Sequence, residues 1–416
     1  MERISLDSKQ DWKKNIILFL TSQTISLFGS SLVQYSIMWY IILKTQSGIM
    51  MMISIICGFL PTFFLSPFAG VWADRYNRKT LIILADSMIA TCTLILALLF
   101  YAGYDMMWLL FAMSAIRALG AAVQMPAIGA FLPQLVPEEQ LTRVNAVNGS
   151  IQSAVMLISP LLSGALMSVT SLEVIFMIDV LTATVAIVFL LLFLHVPAHR
   201  KAQEKQSVSY FGDMVEGIRY INSHAFLKKF FLFCAGFMIL AAPAAFLTPL
   251  HVTRAFGVDV WRLTALEVTF SIGMMVGGIL MAAWGGFKNR VYSMTLGTLM
   301  FGVCTVALGV TPNFWVYLLF MSLIGVAMPI FNTPSYVMLQ EKVEPDFLGR
   351  VFGVLSMISS TMMPLGMLVF GPLADIVPIE YMLLGTGVLI FFESFFLLGS
   401  KVLVEAGKPN VKADPS

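Results

Sequence analysis

Gly70-Val71-Trp72-Ala73-Asp74-Arg75-Tyr76-Asn77-Arg78-Lys79 joins an apolar run that ends near Trp72 to another that begins at Thr80. One acid and three bases crowd a linker too short to fold by itself, so the simplest object it closes is a hairpin of two membrane helices. Gly70 lets two backbones approach closely. Asp74 suits a helix N-terminus. Arg75, Arg78 and Lys79 assign that end of the hairpin to the cytoplasm, because basic residues are retained on that side. The block therefore sets topology, and its opposed charges form a candidate conformational latch.

The same alternation of apolar run and charged break continues along the chain. Its 416 residues are 58% hydrophobic and 12% charged, against the roughly 25% charge of a soluble domain. Runs long enough to span a bilayer, about 20 residues each, recur near 16–43, 49–72, 80–102, 106–133, 143–170 and 174–195. A second series lies near 226–252, 262–286, 291–310, 314–340, 350–374 and 380–400. This predicts an all-α membrane protein of twelve transmembrane helices. Of the 25 Lys and Arg, only Lys44, Arg254 and Arg262 fall in the breaks opposite to that of Arg75, while Arg117 lies inside a run. Both termini are therefore expected in the cytoplasm of a cell-membrane protein, with the first run an uncleaved anchor.

Cys57, Cys92, Cys234 and Cys304 show no ligand spacing, nor do the four histidines, so neither a metal nor another cofactor is expected. The chain has no phosphate-cradling glycine loop, no soluble catalytic domain and no basic patch interleaved with aromatics, which argues against an enzyme and against nucleic acid as a partner.

One long polar interruption, 196–225, lies near the midpoint. Within it Phe211, Val215, Ile218 and Ile221 recur at helical spacing beside Asp213, Glu216 and Arg219, which predicts a short amphipathic helix at the cytoplasmic surface. The expected domains are 1–195, a linker at 196–225, 226–400, and a tail at 401–416. The two large segments are related. Val136, Leu141, Arg143 and Val144 recur as Val343, Leu348, Arg350 and Val351, each 207 residues on, in breaks read as equivalent cytoplasmic loops. The counterpart of the opening block, Trp284-Gly285-Gly286-Phe287-Lys288-Asn289-Arg290, keeps glycine and bases but lacks the acid. Such parallel repeats build membrane carriers.

The opening block resembles the loop between the second and third helices of the major facilitator superfamily, usually G-x-x-x-D-R-x-G-R-K. Asn77 replaces the second glycine, as a residue that tolerates left-handed backbone. Over nearly its whole length the chain resembles the macrolide-efflux branch of the drug/proton antiporters. The match is carried by Gln23, Ser26, Gln34, Asp74-Arg75, Arg78-Lys79, Ala85-Asp86, Arg117, Pro126-Ala127, the run Leu135 to Thr142, Ile178 to Leu181, Glu267, and Leu348 to Phe352. The resemblance implies two pseudo-symmetric six-helix bundles that rock about a cavity. It implies proton-coupled efflux of amphipathic drug-like molecules by a monomer, with protons and membrane lipid as its other partners. A facilitator of the same fold for siderophore, lipid or metabolite is the alternative, and a non-transporting membrane sensor is the alternative of another class.

Charges at membrane depth cost about 2.5–3.5 kcal/mol on insertion scales, so Asp86, Arg117, Asp179, Glu267 and Glu393 each ask for a partner or a role. Arg117 resembles the fourth-helix arginine tied to proton coupling; its other reading is a structural cation held by carbonyls or by Asp86. Glu267 is either the proton carrier or a helix-start carboxylate paired with Arg262 or Arg254. Asp86, Asp179 and Glu393 lie on helices that the resemblance puts at the periphery, Asp86 and Asp179 remaining coupling candidates. Gln23, Gln34, Tyr35, Trp39, Gln124, Asn332 and Tyr336 are expected to line the cavity. Ser159-Pro160-Leu161-Leu162-Ser163-Gly164 resembles the bent fifth helix of the antiporters, where Pro160 breaks the ladder and Gly164 permits close packing. Gly273, Gly277, Gly366 and Gly371 are expected to offer matching surfaces to that bend.

Overall fold

Backbone polar groups in hydrocarbon must be satisfied within the chain, so each apolar run is expected to be helical. The structure, a computed structural model, describes residues 8–194 and 210–408, without the side chains of residues 8–11, 67, 74, 138 and 210–214. The side chain of the latch acid Asp74, the linker stretch 195–209 and the tail beyond 408 thus lie outside the described residues. Among the described residues twelve helical spans are long and apolar enough to cross a membrane. The helices are α1 (Ser8–Thr45), α2 (Gly48–Arg75), α3 (Arg78–Tyr101), α4 (Met107–Leu135), α5 (Glu138–Val169), α6 (Leu172–Phe193) and α7 (Tyr210–Ser223). They continue with α8 (Ala225–Ala242), α9 (Thr248–Ala255), α10 (Val260–Trp284), α11 (Arg290–Val310), α12 (Phe314–Lys342), α13 (Pro345–Leu373), α14 (Ile379–Gly399) and α15 (Lys401–Ala406).

Three local outcomes differ from the sequence reading. Asn77 does not adopt left-handed backbone: at φ −65° and ψ 114° it caps α3, its side chain accepting from the Thr80 amide. A capping oxygen satisfies an orphan helix donor, which a glycine there could not do. The repeated Val-Leu-Arg-Val block is not a loop either. Val136 and Val343 terminate α4 and α12, Pro137 and Glu344 open the next helices, and the block itself winds into α5 and α13. The seventh span, read as one run, is interrupted by a π-turn over Pro243–Leu247 between α8 and α9, where Pro249 lacks the N–H that a regular ladder would use.

The chain divides into two compact units, one of residues 1–44 with 53–206 and the other of residues 45–52 with 207–416. The first turn of α2 therefore belongs with the second unit, as does α7. In the first unit Phe19, Ile82, Phe131, Leu132, Leu190 and Leu194 form one buried apolar cluster. In the second, Phe237 packs against Phe301 and Phe331 at ring separations of 5.3 Å and 5.1 Å. The amphipathic stretch forms α7, which docks on α13 through Tyr220 stacked on Phe347 at 4.2 Å and through Glu216 paired with Arg350 at 3.3 Å.

Small residues set the helix crossings of the second unit. A side chain at Gly273 would collide with the Ser322 carbonyl oxygen of α12, and one at Gly277 would come within 2.6 Å of the Val326 carbonyl oxygen. Gly366 sits against Ala242 and Ile239 of α8, and Gly371 against Gly48 and Met52. These four glycines each meet a neighbour inside the second unit, because close crossings within one unit need bare backbone.

Gly273→Val and Gly277→Leu are each expected to lower the thermal stability of the purified protein by about 1–3 kcal/mol, the usual cost of overpacking. Gly278→Ala, where a methyl group would meet open space, is expected to leave the melting temperature unchanged in the same assay.

Candidate functional site

A part-buried guanidinium of the first unit, its side chain 11% exposed, collects partners from three other helices. Arg117 on α4 donates through Nη1 to Asp179 Oδ2 on α6 at 2.5 Å and to Thr93 Oγ1 on α3 at 2.6 Å, and through Nη2 to the Ser30 carbonyl on α1 at 3.2 Å. Asp179 is fully buried and also accepts from Ser30 Oγ at 3.3 Å. Gly29 makes the room: a side chain there would strike Thr182 and lie 3.1 Å from Asp179 Oδ1. Of the two structural partners the sequence offered for Arg117, carbonyls or Asp86, the carbonyl is present and the acid is Asp179. Asp179 lies 62 residues away in sequence, and no local pattern announces the pairing.

Asp86, 2% exposed, lies elsewhere in the same unit. Its Oδ1 accepts from Ser26 Oγ at 2.8 Å and from Gln124 Nε2 at 2.7 Å, while Oδ2 is buried with no hydrogen-bond partner. One oxygen twice bonded and the other free is an arrangement that can take up a proton without breaking a bond. Gln124 is thereby engaged as a donor to Asp86, and Gln23 is buried with its Nε2 unpartnered. Trp39 is fully buried, its ring 5.6 Å from that of Tyr35, whereas Gln34 is exposed. Thr24 and Phe28 of α1 face Ile151, Ala154, Val155 and Ile158 of α5 across an apolar recess of about 270 Å³. The α5 segment is continuous through Pro160, which is buried together with Gly164. Ser163 bonds Ser36 at 2.8 Å and the Leu32 carbonyl at 3.2 Å on α1.

In the second unit Glu267 is half-buried on α10 and meets no cation among the described residues. The bases once offered to it are taken: Arg262 pairs with Asp259 at 3.4 Å and Arg254 with Asp375 at 2.9 Å. Asn332 is half-buried, and Tyr336 is exposed and stacks on Phe352 at 5.7 Å. Of the latch residues, Gly70 is half-buried and Arg75 exposed at the end of α2. Arg78 donates to the carbonyls of Ala73 and Ala130, both at 2.9 Å, and Lys79 to that of Leu194 at 2.7 Å.

Sequence reasoning missed a polar clasp around the first turn of α2. Asp375, in the turn after α13, accepts from the amides of Gly48 at 2.7 Å and Ile49 at 3.0 Å and from Ser47 Oγ at 2.7 Å. Arg254 bonds Asp375, the Ala374 carbonyl and the carbonyl of Gln46, whose φ of 46° is the one positive value at a non-glycine among the described residues. Desolvation opposes ionisation of Asp375, but the Ile49 amide, Ser47, the Gly48 amide and Arg254 together outweigh it and hold the carboxyl below its ordinary value. The clue lay in Ser47-Gly48, a serine just ahead of a helix start, but the acid that caps it is more than 300 residues away.

These spans and their charges invite comparison with known carriers. A family model described as the Major Facilitator Superfamily matches residues 18–367 and 244–413. The chain belongs to that superfamily. Macrolide efflux protein A of Streptococcus pyogenes is 29% identical to this superfamily member over 387 residues, 92% of this chain and 95% of the relative. Its namesake in Enterococcus faecalis is 30% identical over 312 residues, 74% of this chain and 96% of the relative. The Staphyloferrin A transporter of Staphylococcus aureus is 21% identical, across 94% of this chain and 98% of the relative. A bacterial homolog of the human lysosomal transporter Spinster superposes with a TM-score of 0.72 at 14% identity, across 96% of this chain and 99% of that one. At such identity the likeness speaks for the fold alone: this is a multi-pass facilitator, a transporter whose sequence relatives include macrolide efflux proteins.

Asp179→Asn strands a part-buried guanidinium and is expected to cost about 3–5 kcal/mol in thermal unfolding. Replacing Arg117 and Asp179 together by leucine is expected to cost far less in the same measurement. For the clasp, the folded Asp375 carboxyl binds its proton less tightly than the unfolded one. Its stabilisation is therefore full at neutral pH and fades as pH falls below about 3.9 through the lower folded value. Asp375→Asn is expected to lower the melting temperature at neutral pH, with the gap to the parent protein closing in acid; a gap independent of pH would exclude the carboxylate as its source.

Proposed function

We propose that this chain exports amphipathic, drug-like small molecules of macrolide type across the cell membrane by proton-coupled alternating access, as a monomer with both termini in the cytoplasm. The substrate class rests on the near full-length likeness to macrolide efflux proteins. One observation carries the coupling: Asp86 and Glu267, one in each unit, are acids within membrane spans that meet no cation among the described residues, whereas Asp179 is committed to Arg117. A carboxylate in such a place costs free energy that a proton removes. Protonation of Glu267, with Asp86 as a second carrier, would favour one access state. Arg117 with Asp179 would hold the first unit rigid, and Asp74 with Arg78 would latch the cytoplasmic side in the opposite state. The excess of Lys and Arg in alternate breaks supports the orientation.

The side chains support an amphipathic cargo. Gln23 offers an unpaired amide group, and the apolar recess between α1 and α5 suits a hydrophobic portion smaller than a whole drug, whose pockets span about 300–1,000 Å³. Likeness to the Staphyloferrin A transporter favours a second reading, a facilitator for a siderophore, lipid or metabolite.

Reconstituted vesicles loaded with a macrolide, a lipophilic cation or a siderophore separate these readings. Under an imposed pH gradient the macrolide is expected to be moved, and an ionophore that collapses the gradient is expected to abolish its accumulation. Glu267→Gln is expected to lose most gradient-driven flux while still binding the macrolide. Flux indifferent to the ionophore would remove proton coupling, and exclusive movement of the siderophore would favour the second reading.

A further inference from the structure

Among the described residues a glycine of one helix opposes an acid of another twice. On α1, Gly29 lies against Asp179 of α6, and on α8, Gly236 lies against Glu393 of α14, where a side chain would come within 2.5 Å of Glu393 Oε1. The two glycines are 207 residues apart, the offset that relates the repeated Val-Leu-Arg-Val blocks. In each unit the bare backbone of the first span makes room for a carboxyl group from the last.

The surroundings of the two acids differ. Asp179 has Arg117, Thr93 and Ser30. At the same offset these three become Ile324, Met300 and Phe237 and Asp179 itself becomes Thr386, so the second unit loses the whole set and supplies its acid as Glu393, two turns further along α14. Among the described residues Glu393 accepts no hydrogen bond and meets no cation, and its Oε2 is buried without a partner. The titratable and charged groups on the neighbouring helices do not neutralise it. Cys234 is a buried thiol on α8, Lys228 is at the start of that helix, and Lys229, two turns from Gly236, donates to Ser400 at 3.4 Å. Cys304 is buried on α11, whose Arg290 pairs with Glu341. Lys401 and Glu405 lie beyond the end of α14, and Glu380, beside His251, is 13 residues away along it, about 20 Å at 1.5 Å per residue.

Glu393 is half-buried, and an ionised carboxylate so placed would be unpaired, with Oε2 cut off from solvent. We propose that Glu393 is a proton-binding site of the second unit, holding its proton while packed over Gly236 and releasing it to water when water enters the seam between α8 and α14. The transfer breaks the carboxyl O–H bond and leaves a carboxylate and a hydrated proton. It calls on no other reactant, and it stands apart from the cargo and from the coupling roles proposed above.

Infrared spectra of the purified protein test the site directly. At neutral pH the parent protein is expected to show the carbonyl stretch of a protonated carboxylic acid that is missing from Glu393→Gln, a neutral isostere, and this band is expected to fade in alkaline buffer. Gly236→Ser, which sets a hydroxyl beside the carboxyl group, is expected to keep the band and shift its frequency. A parent-minus-variant spectrum without the band at neutral pH, a band indifferent to alkaline pH, or no shift in Gly236→Ser would each overturn the proposal. Spectra of Glu267→Gln and Asp86→Asn are expected to retain the Glu393 band, which separates its failure from failure of the transport reading.

Discussion

Hydrocarbon offers no water to a polar side chain, so every charge that enters a membrane span must be met by another part of the protein. In the first unit Ser26 and Gln124 meet Asp86, and one further network meets the rest. The guanidinium of Arg117 draws α1, α3 and α6 toward α4 through Ser30, Thr93 and Asp179. A buried pair of this kind contributes little net stability compared with apolar packing, yet removing one member leaves an unmatched charge. Its effect is therefore on which arrangement of four helices is tolerated, more than on how stable that arrangement is.

The second unit has no counterpart of that network. The offset positions of Arg117, Thr93 and Ser30 are apolar, and Phe237 packs with Phe301 and Phe331 in the interior. Glycines 273, 277 and 366 bring helix backbones close enough for dispersion and close packing to hold them. Duplication thus preserved helix order and the glycine at 29 and 236, while the chemistry at those glycines diverged. The polar interactions of the second unit gather at its margins, in the Asp375 clasp, the Arg290–Glu341 pair and the docking of α7 on α13.

Legibility followed the range of the interaction. Span number and charge placement were readable because hydropathy and basic residues act locally along the chain, and the 70–79 block announced a hairpin because its residues are contiguous. Helix ends were read less well. Asn77 carries its capping role in a single side chain, and the repeated block reads as polar loop when it is the first turn of α5 and of α13. The residues that make polar networks were mostly flagged, since intramembrane charge is conspicuous, but their partners were not. Glu267 was offered Arg262 and Arg254, and the fold gives both bases to other acids.

By itself the sequence determined a duplicated membrane carrier of twelve helices, because the length and polarity of each run decide whether it can lie in lipid, and the repeat decides how the runs are grouped. Only the tertiary structure decided that Arg117 belongs to Asp179, that Asp375 caps a helix more than 300 residues earlier, and that Glu393 is left unmatched above a glycine. Those outcomes depend on which helix faces touch, and a linear pattern of apolar residues carries no record of facing when nearly every face is apolar.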